Sequence, residues 1–145
     1  MQNMFVGKGN LGGSPELKVI AGPNGDFQVA TMRIMFGRYG RDKVSGEVQQ
    51  IGGFWREVEI YGQKASDVAR LLRKGSRVLV VGEERDFMAK DERGGEVQVI
   101  KIVAEDIALQ LTRVETIVFA QPSARQAQPD GQEDHAEQSA HEQSA

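Results

Sequence analysis

Apolar and polar positions alternate cleanly in two stretches of the chain. From Phe27 to Phe36, Ala30, Met32, Ile34 and Phe36 take one side, while Val29, Thr31, Arg33 and Met35 take the other. From Phe54 to Tyr61, Val58 and Ile60 point one way, and Trp55, Glu57, Glu59 and Tyr61 point the other. Successive strand side chains leave opposite faces, so both stretches predict half-buried strands. A face that carries Glu57 and Glu59 is not a core face. Its Trp and Tyr are therefore expected to meet solvent or a ligand. By its spacing, Phe54 falls on the Val58 and Ile60 side and is expected in the core.

The period then changes. Ala65, Val68, Ala69, Leu71 and Leu72 fall at helical spacing, which predicts a helix over 63–73 with Gly75 as its C′ residue. Arg70, Arg73 and Lys74 suit the negative end of its dipole. Arg77–Val81 is apolar and β-branched, as expected of a buried strand, and Glu96–Ala104 reads as the last clear strand. Ile107–Leu111 and Val114–Phe119 add further apolar material. Upstream, Met4–Gly9 and Glu16–Ala21 are short extended runs joined by a Gly-rich loop, and Gly22-Pro23-Asn24-Gly25 is a hairpin turn. Two charged segments show no period. Gly37–Gly53 holds five glycines with Arg38, Arg41 and Lys43 near its start, and reads as the tip of a long hairpin. Glu83–Gly95 reads as a charged connection. From Ala120 onward the chain has no Val, Ile, Leu, Met or aromatic residue, so 120–145 is expected to be a disordered acidic and polar tail.

Short strands with a single helix between the third and fourth barrel strands predict an all-β domain over 1–119 with the OB-fold. This is a five-stranded Greek-key barrel, whose strand 2–3 face binds oligonucleotides.

Charge sharpens that expectation. The net charge of −3 is unevenly spread. Residues 1–82 hold 12 Lys and Arg against 7 Asp and Glu, a net of +5, whereas 83–119 and 120–145 each carry −4. A basic segment in an acidic chain points to a local polyanion surface. There is no Cys, which excludes disulfides and thiolate metal sites. Both His residues, His135 and His141, fall in the tail, away from any acid–base or metal role in the fold. GKGNLGG lacks the Lys-Ser/Thr ending of a phosphate-binding loop. No cofactor is expected, and the protein is expected not to be an enzyme. With no signal-like or membrane-length apolar run, a cytoplasmic protein with no membrane contact is expected.

Binding single strands without reading sequence requires flat side chains for bases and positive charge for phosphates. Trp55 and Tyr61 supply the first. They lie six residues apart, about 20 Å at roughly 3.3 Å per residue, so they would hold different nucleotides. Tyr39 and Phe87, placed in loops by the sequence, are further ring candidates. Arg33, Arg38, Arg41 and Lys43 form the basic cluster, opposed only by Asp42. Lys18 and Arg56 are additional candidates, although Arg56 points to the Val58 side and is also a candidate subunit contact.

GNLGGSPELK, PNG, VATMRI, RDKVSGE and FWREVEIYGQKASDVARLLRKGSRVLVVG occur in this order over roughly 3–112. Together they resemble the bacterial single-stranded DNA-binding protein family. The resemblance implies a homotetramer of OB domains that coats single-stranded DNA in replication, recombination and repair, in the cytoplasm at the nucleoid. It places Trp55 and Tyr61 on stacking positions, and Arg41-Asp42-Lys43 in the loop that grips the strand. The chain departs from the family pattern at three places. Tyr39-Gly40 replaces a Trp, Phe87-Met88-Ala89 stands where another Trp is usual, and the tail ends Gln143-Ser144-Ala145 without the acidic partner-recruiting tip. Two other readings stay open: a primosome or mobile-element adaptor with weak DNA binding, and an RNA-binding OB protein.

Overall fold

A computed structural model describes residues 3–122. Six strands and one helix make up the compact unit Met1–Thr112. The strands are β1 (Met4–Leu11), β2 (Glu16–Gly22), β3 (Gly25–Arg41), β4 (Val48–Tyr61), β5 (Arg77–Lys90) and β6 (Glu96–Leu109), with α1 (Gln63–Leu71) between β4 and β5. The sheet runs β1-β5-β6-β4-β3-β2, and β1 also pairs with β3 through Asn10↔Met35 and Leu11↔Ile34. That pairing closes β1, β5, β6, β4 and β3 into a five-stranded ring, the OB-fold. β2 lies outside the ring as the hairpin partner of β3, turned at Gly22↔Gly25. Among the described residues, only β4 and β6 run parallel.

The alternation sets the register. Ala30, Met32, Ile34, Phe36, Val58 and Ile60 are buried, and they pack with Leu11, Val78, Val80, Ile102 and Ala104 inside the ring. Val29 is buried too, although it faces outward; in its row it lies between Lys18 of β2 and Tyr61 of β4. Helix α1 adds Ala65 and Val68 to this core.

The helix stops two residues earlier than its periodicity predicts. Leu72 turns extended (φ −94°, ψ 154°) and packs half-buried against the core. Gly75 is therefore not the helix C′ residue. It supplies the positive φ of 88° in the turn 73–76, where the Ser76 hydroxyl accepts from the Arg73 amide at 3.0 Å.

The two segments without a period are strand arms. β3 and β4 continue as a ladder to Arg41↔Val48, with a bulge that leaves Ile51 unpaired, so only 42–47 is loop. Glu83–Gly95 is not a connection either: β5 runs on to Lys90 and pairs with β6 down to Lys90↔Glu96. Phe54 is a partial correction. It joins Phe5 and Phe36 in a ring cluster at one barrel end, with centroids 6.4 Å and 5.6 Å away, yet remains 39% exposed because it lies at the rim. Residues 113–122 belong to a second unit and form no helix or strand. The disordered-tail expectation, with His135 and His141, lies almost entirely outside the described residues.

Candidate nucleic-acid interface

Cross-strand partners in a ladder share a face. The register therefore assembles the outer surface directly. Glu16–Thr31–Glu59 and Lys18–Val29–Tyr61 form rows across β2, β3 and β4. Arg33 is opposite Glu57, and Met35 is opposite Trp55. Across the parallel junction Glu57 is level with Lys101, which pairs on with Arg85, and Val99 pairs with Phe87. One outward face thus carries Trp55, Tyr61 and Phe87 with Arg33, Lys18, Lys101 and Arg85.

Trp55, Tyr61 and Phe87 are 46%, 43% and 44% exposed, respectively. The ring of Trp55 rests over the backbone of Gly12, where a Cβ would come within 2.5 Å of it, and the Arg33 guanidinium lies 5.6 Å from the ring centroid. A groove of about 490 Å³ opens beside it, lined by residues that include Gly13, Ser14, Thr31 and Glu57. Tyr61 leans on Phe27, with ring centroids 6.0 Å apart. Lys101 Nζ sits 5.3 Å from the centre of the Phe87 ring.

The acids on this face differ in their surroundings. Glu59 accepts from Lys101 Nζ at 2.8 Å and, at 3.5 Å, from the Tyr61 hydroxyl. That hydrogen bond to Glu59 raises the pKa of Lys101 above its usual value, against a smaller opposing effect of burial. Arg85 meets Glu83 at 3.6 Å. Among the described residues, Glu57 forms no ion pair.

The remaining sequence candidates are spread more widely. Tyr39 and Phe87 are strand residues of β3 and β5 rather than loop residues. Tyr39 shares the outer phase of β3, and its ring folds back over Gly37 towards Asn10, with Arg77 5.7 Å from its centroid. Arg38 is one residue out of phase with Arg33 and lies across Gly52 on the other side of the ribbon. Arg41 donates to the Gly46 carbonyl at 2.8 Å, bracing the tip, and Lys43 is exposed in that tip. Arg56 faces away from Trp55. It stacks on Phe54 at 4.4 Å, donates to the Trp55 carbonyl at 3.0 Å, and its Nε is buried without a partner.

Residues 1–110 match the model of the single-strand binding protein family. The chain belongs to that family. It binds single-stranded DNA. Two solved structures share the family's fold. A small single-stranded DNA-binding protein from Streptomyces coelicolor is 22% identical over 78% of this chain and 99% of its own, with a TM-score of 0.65. A Plasmodium falciparum single-stranded DNA-binding protein, solved in complex with single-stranded DNA, is 24% identical over 76% of this chain and 96% of its own, with a TM-score of 0.59. Sequence reasoning missed Lys101 and Arg85 on this outer face, and Arg77 beside Tyr39. Lys101 was detectable as the one charge interrupting VQVIKIVA, out of phase with the buried Ile102. Arg77 carried no signal beyond opening a strand.

Proposed function

We propose that the outer face of β3, β4, β6 and β5 is the DNA path, and that it takes single strands without reading their sequence. The observation that carries this is the set of three half-exposed rings on one sheet face, each with a basic side chain in reach or in its row. Every base has a stackable face, and one stacked base is worth about 1–3 kcal/mol, so rings grip all sequences alike. Lys18 and Arg33 on this face are available for phosphates, with Lys43 at the hairpin tip reaching beyond it. Arg56 and Arg38, turned the other way, are assigned to packing rather than to DNA.

The rest of the proposal rests on family membership. The protein acts as a homotetramer and coats single strands during replication, recombination and repair at the nucleoid. It is a non-catalytic protein; among the described residues no helix is long and apolar enough to cross a membrane. Trp55 is the chain's only Trp, so its fluorescence reports the site directly. Titration with equal-length poly-dT, RNA and duplex is the test. Strong quenching and tight binding with poly-dT alone support the reading. Equal affinity for duplex sinks it, and tighter binding of RNA moves the protein to the RNA-binding class. Binding to poly-dT without any change in Trp55 emission places the path elsewhere.

A further inference from the structure

Glu59 lies on the face assigned to a polyanion, touching the Tyr61 hydroxyl and Lys101, which in turn reaches the Phe87 ring. An uncompensated carboxylate there would repel phosphates, and like charges brought together at an interface are costly. The side chains of Glu59 and Lys101 are only 14% and 27% exposed, so their 2.8 Å contact is shielded better than an ordinary surface pair. Lys101 is also diagonal to Phe87: its direct partner on β5 is Arg85, two residues away, and its ammonium reaches the Phe87 ring. Tyr61, Glu59, Lys101 and Phe87 thus form one chain of contacts across β4, β6 and β5.

We propose that Lys101 is a positioning residue that keeps the Glu59 carboxylate off the DNA path, rather than a phosphate ligand. Its charge offsets that of Glu59, so the pair adds no net charge to the strip between Tyr61 and Phe87. This inference rests on the face assigned above.

Salt-dependent affinity for poly-dT, measured alongside Trp55→Ala, tests it. Lys101→Gln leaves Glu59 bare and should weaken binding about tenfold, the scale expected of a like charge at an interface. Adding Glu59→Gln should recover the affinity to within about threefold, with the salt dependence of the original protein. Lys101→Arg, which keeps the pair, should bind almost normally and shows that the fold tolerates change at this position. A double variant that stays weak, with a salt slope lower by about one, identifies Lys101 as a phosphate contact and overturns the proposal. If Lys101→Gln has no effect while Trp55→Ala weakens binding, the proposal falls and the DNA face stands. If neither change has an effect, the face itself is wrong.

Discussion

Gly12→Ala isolates the placement of the Trp55 ring from its chemistry. An added Cβ would lie 2.5 Å from Cζ3 and 2.7 Å from Cη2 of Trp55, where ordinary contact begins at 3.4 Å. The ring must therefore retreat by roughly 1 Å, and its half-exposed position lets it swing rather than deform the barrel. The Gly12 backbone takes no positive φ, so alanine adds no backbone strain there, and the entropy it removes from the unfolded chain is worth about 0.4–1 kcal/mol. Loss of the Arg33 contact costs about 0.5–1 kcal/mol, and the two effects nearly cancel. A base that stacks on Trp55 meets a displaced ring, losing part of about 1–3 kcal/mol. The expected outcome is unchanged thermal stability, a shifted Trp emission maximum, and poly-dT affinity lowered about 3- to 30-fold at 1.4 kcal/mol per tenfold. Gly13→Ala is the control, since its Cβ would meet nothing within 4 Å. Shifted emission with normal affinity refutes the stacking role of Trp55. A large loss of stability refutes the view that the ring yields.

Gly82→Ala should fail differently: its Cβ would lie 2.4 Å from the Val103 carbonyl oxygen and 2.7 Å from Ala104 Cα at a buried bulge, and backbone cannot swing aside. We expect a loss of about 3 kcal/mol in chemical denaturation. Because the pKa of Lys101 is raised in the folded state, its pairing stabilises fully at neutral pH and is lost only as pH rises through that raised value. Stability measured from pH 6 to 9 should therefore not differ in slope between the protein and Lys101→Gln; divergence should begin only in the alkaline range. Deleting residues 120–145, which contain no large apolar side chain, should leave the thermal midpoint unchanged; a fall of several degrees would show that the tail packs on the barrel.

Sequence disclosed the barrel wherever one strand face is buried and the other solvated. Val58 and Ile60 against Glu57 and Glu59 gave both the strand and its orientation, as did Ala30 to Phe36. It failed where a ladder leaves the core. In the arms around Arg38–Gly53 and Glu83–Gly95 most positions are exposed, so no apolar period marks them, and Tyr39 and Phe87 looked like loop residues. Phe54 shows the converse: correct phase does not ensure burial at a barrel rim. Lys101 needed the parallel pairing with β4, whose level residue Glu57 lies 44 residues earlier in the chain, which no local pattern carries.

The long-range ladder between β1 and β5 also fixes an order of events. β1 leaves the ribosome first, yet Asn10 finds its β5 partner Arg77 only across a separation of 67 residues. At about 5–20 residues per second, the N-terminal strand waits several seconds for β5, although the β3 residues it pairs with are made sooner. During that time the β2–β3–β4 meander, whose pairings are local, can form. Ring closure is then a late, long-range step of the kind that slows all-β folding to milliseconds or longer. A nascent chain stalled before Arg77 should expose the Phe5 and Leu11 face that the finished barrel hides.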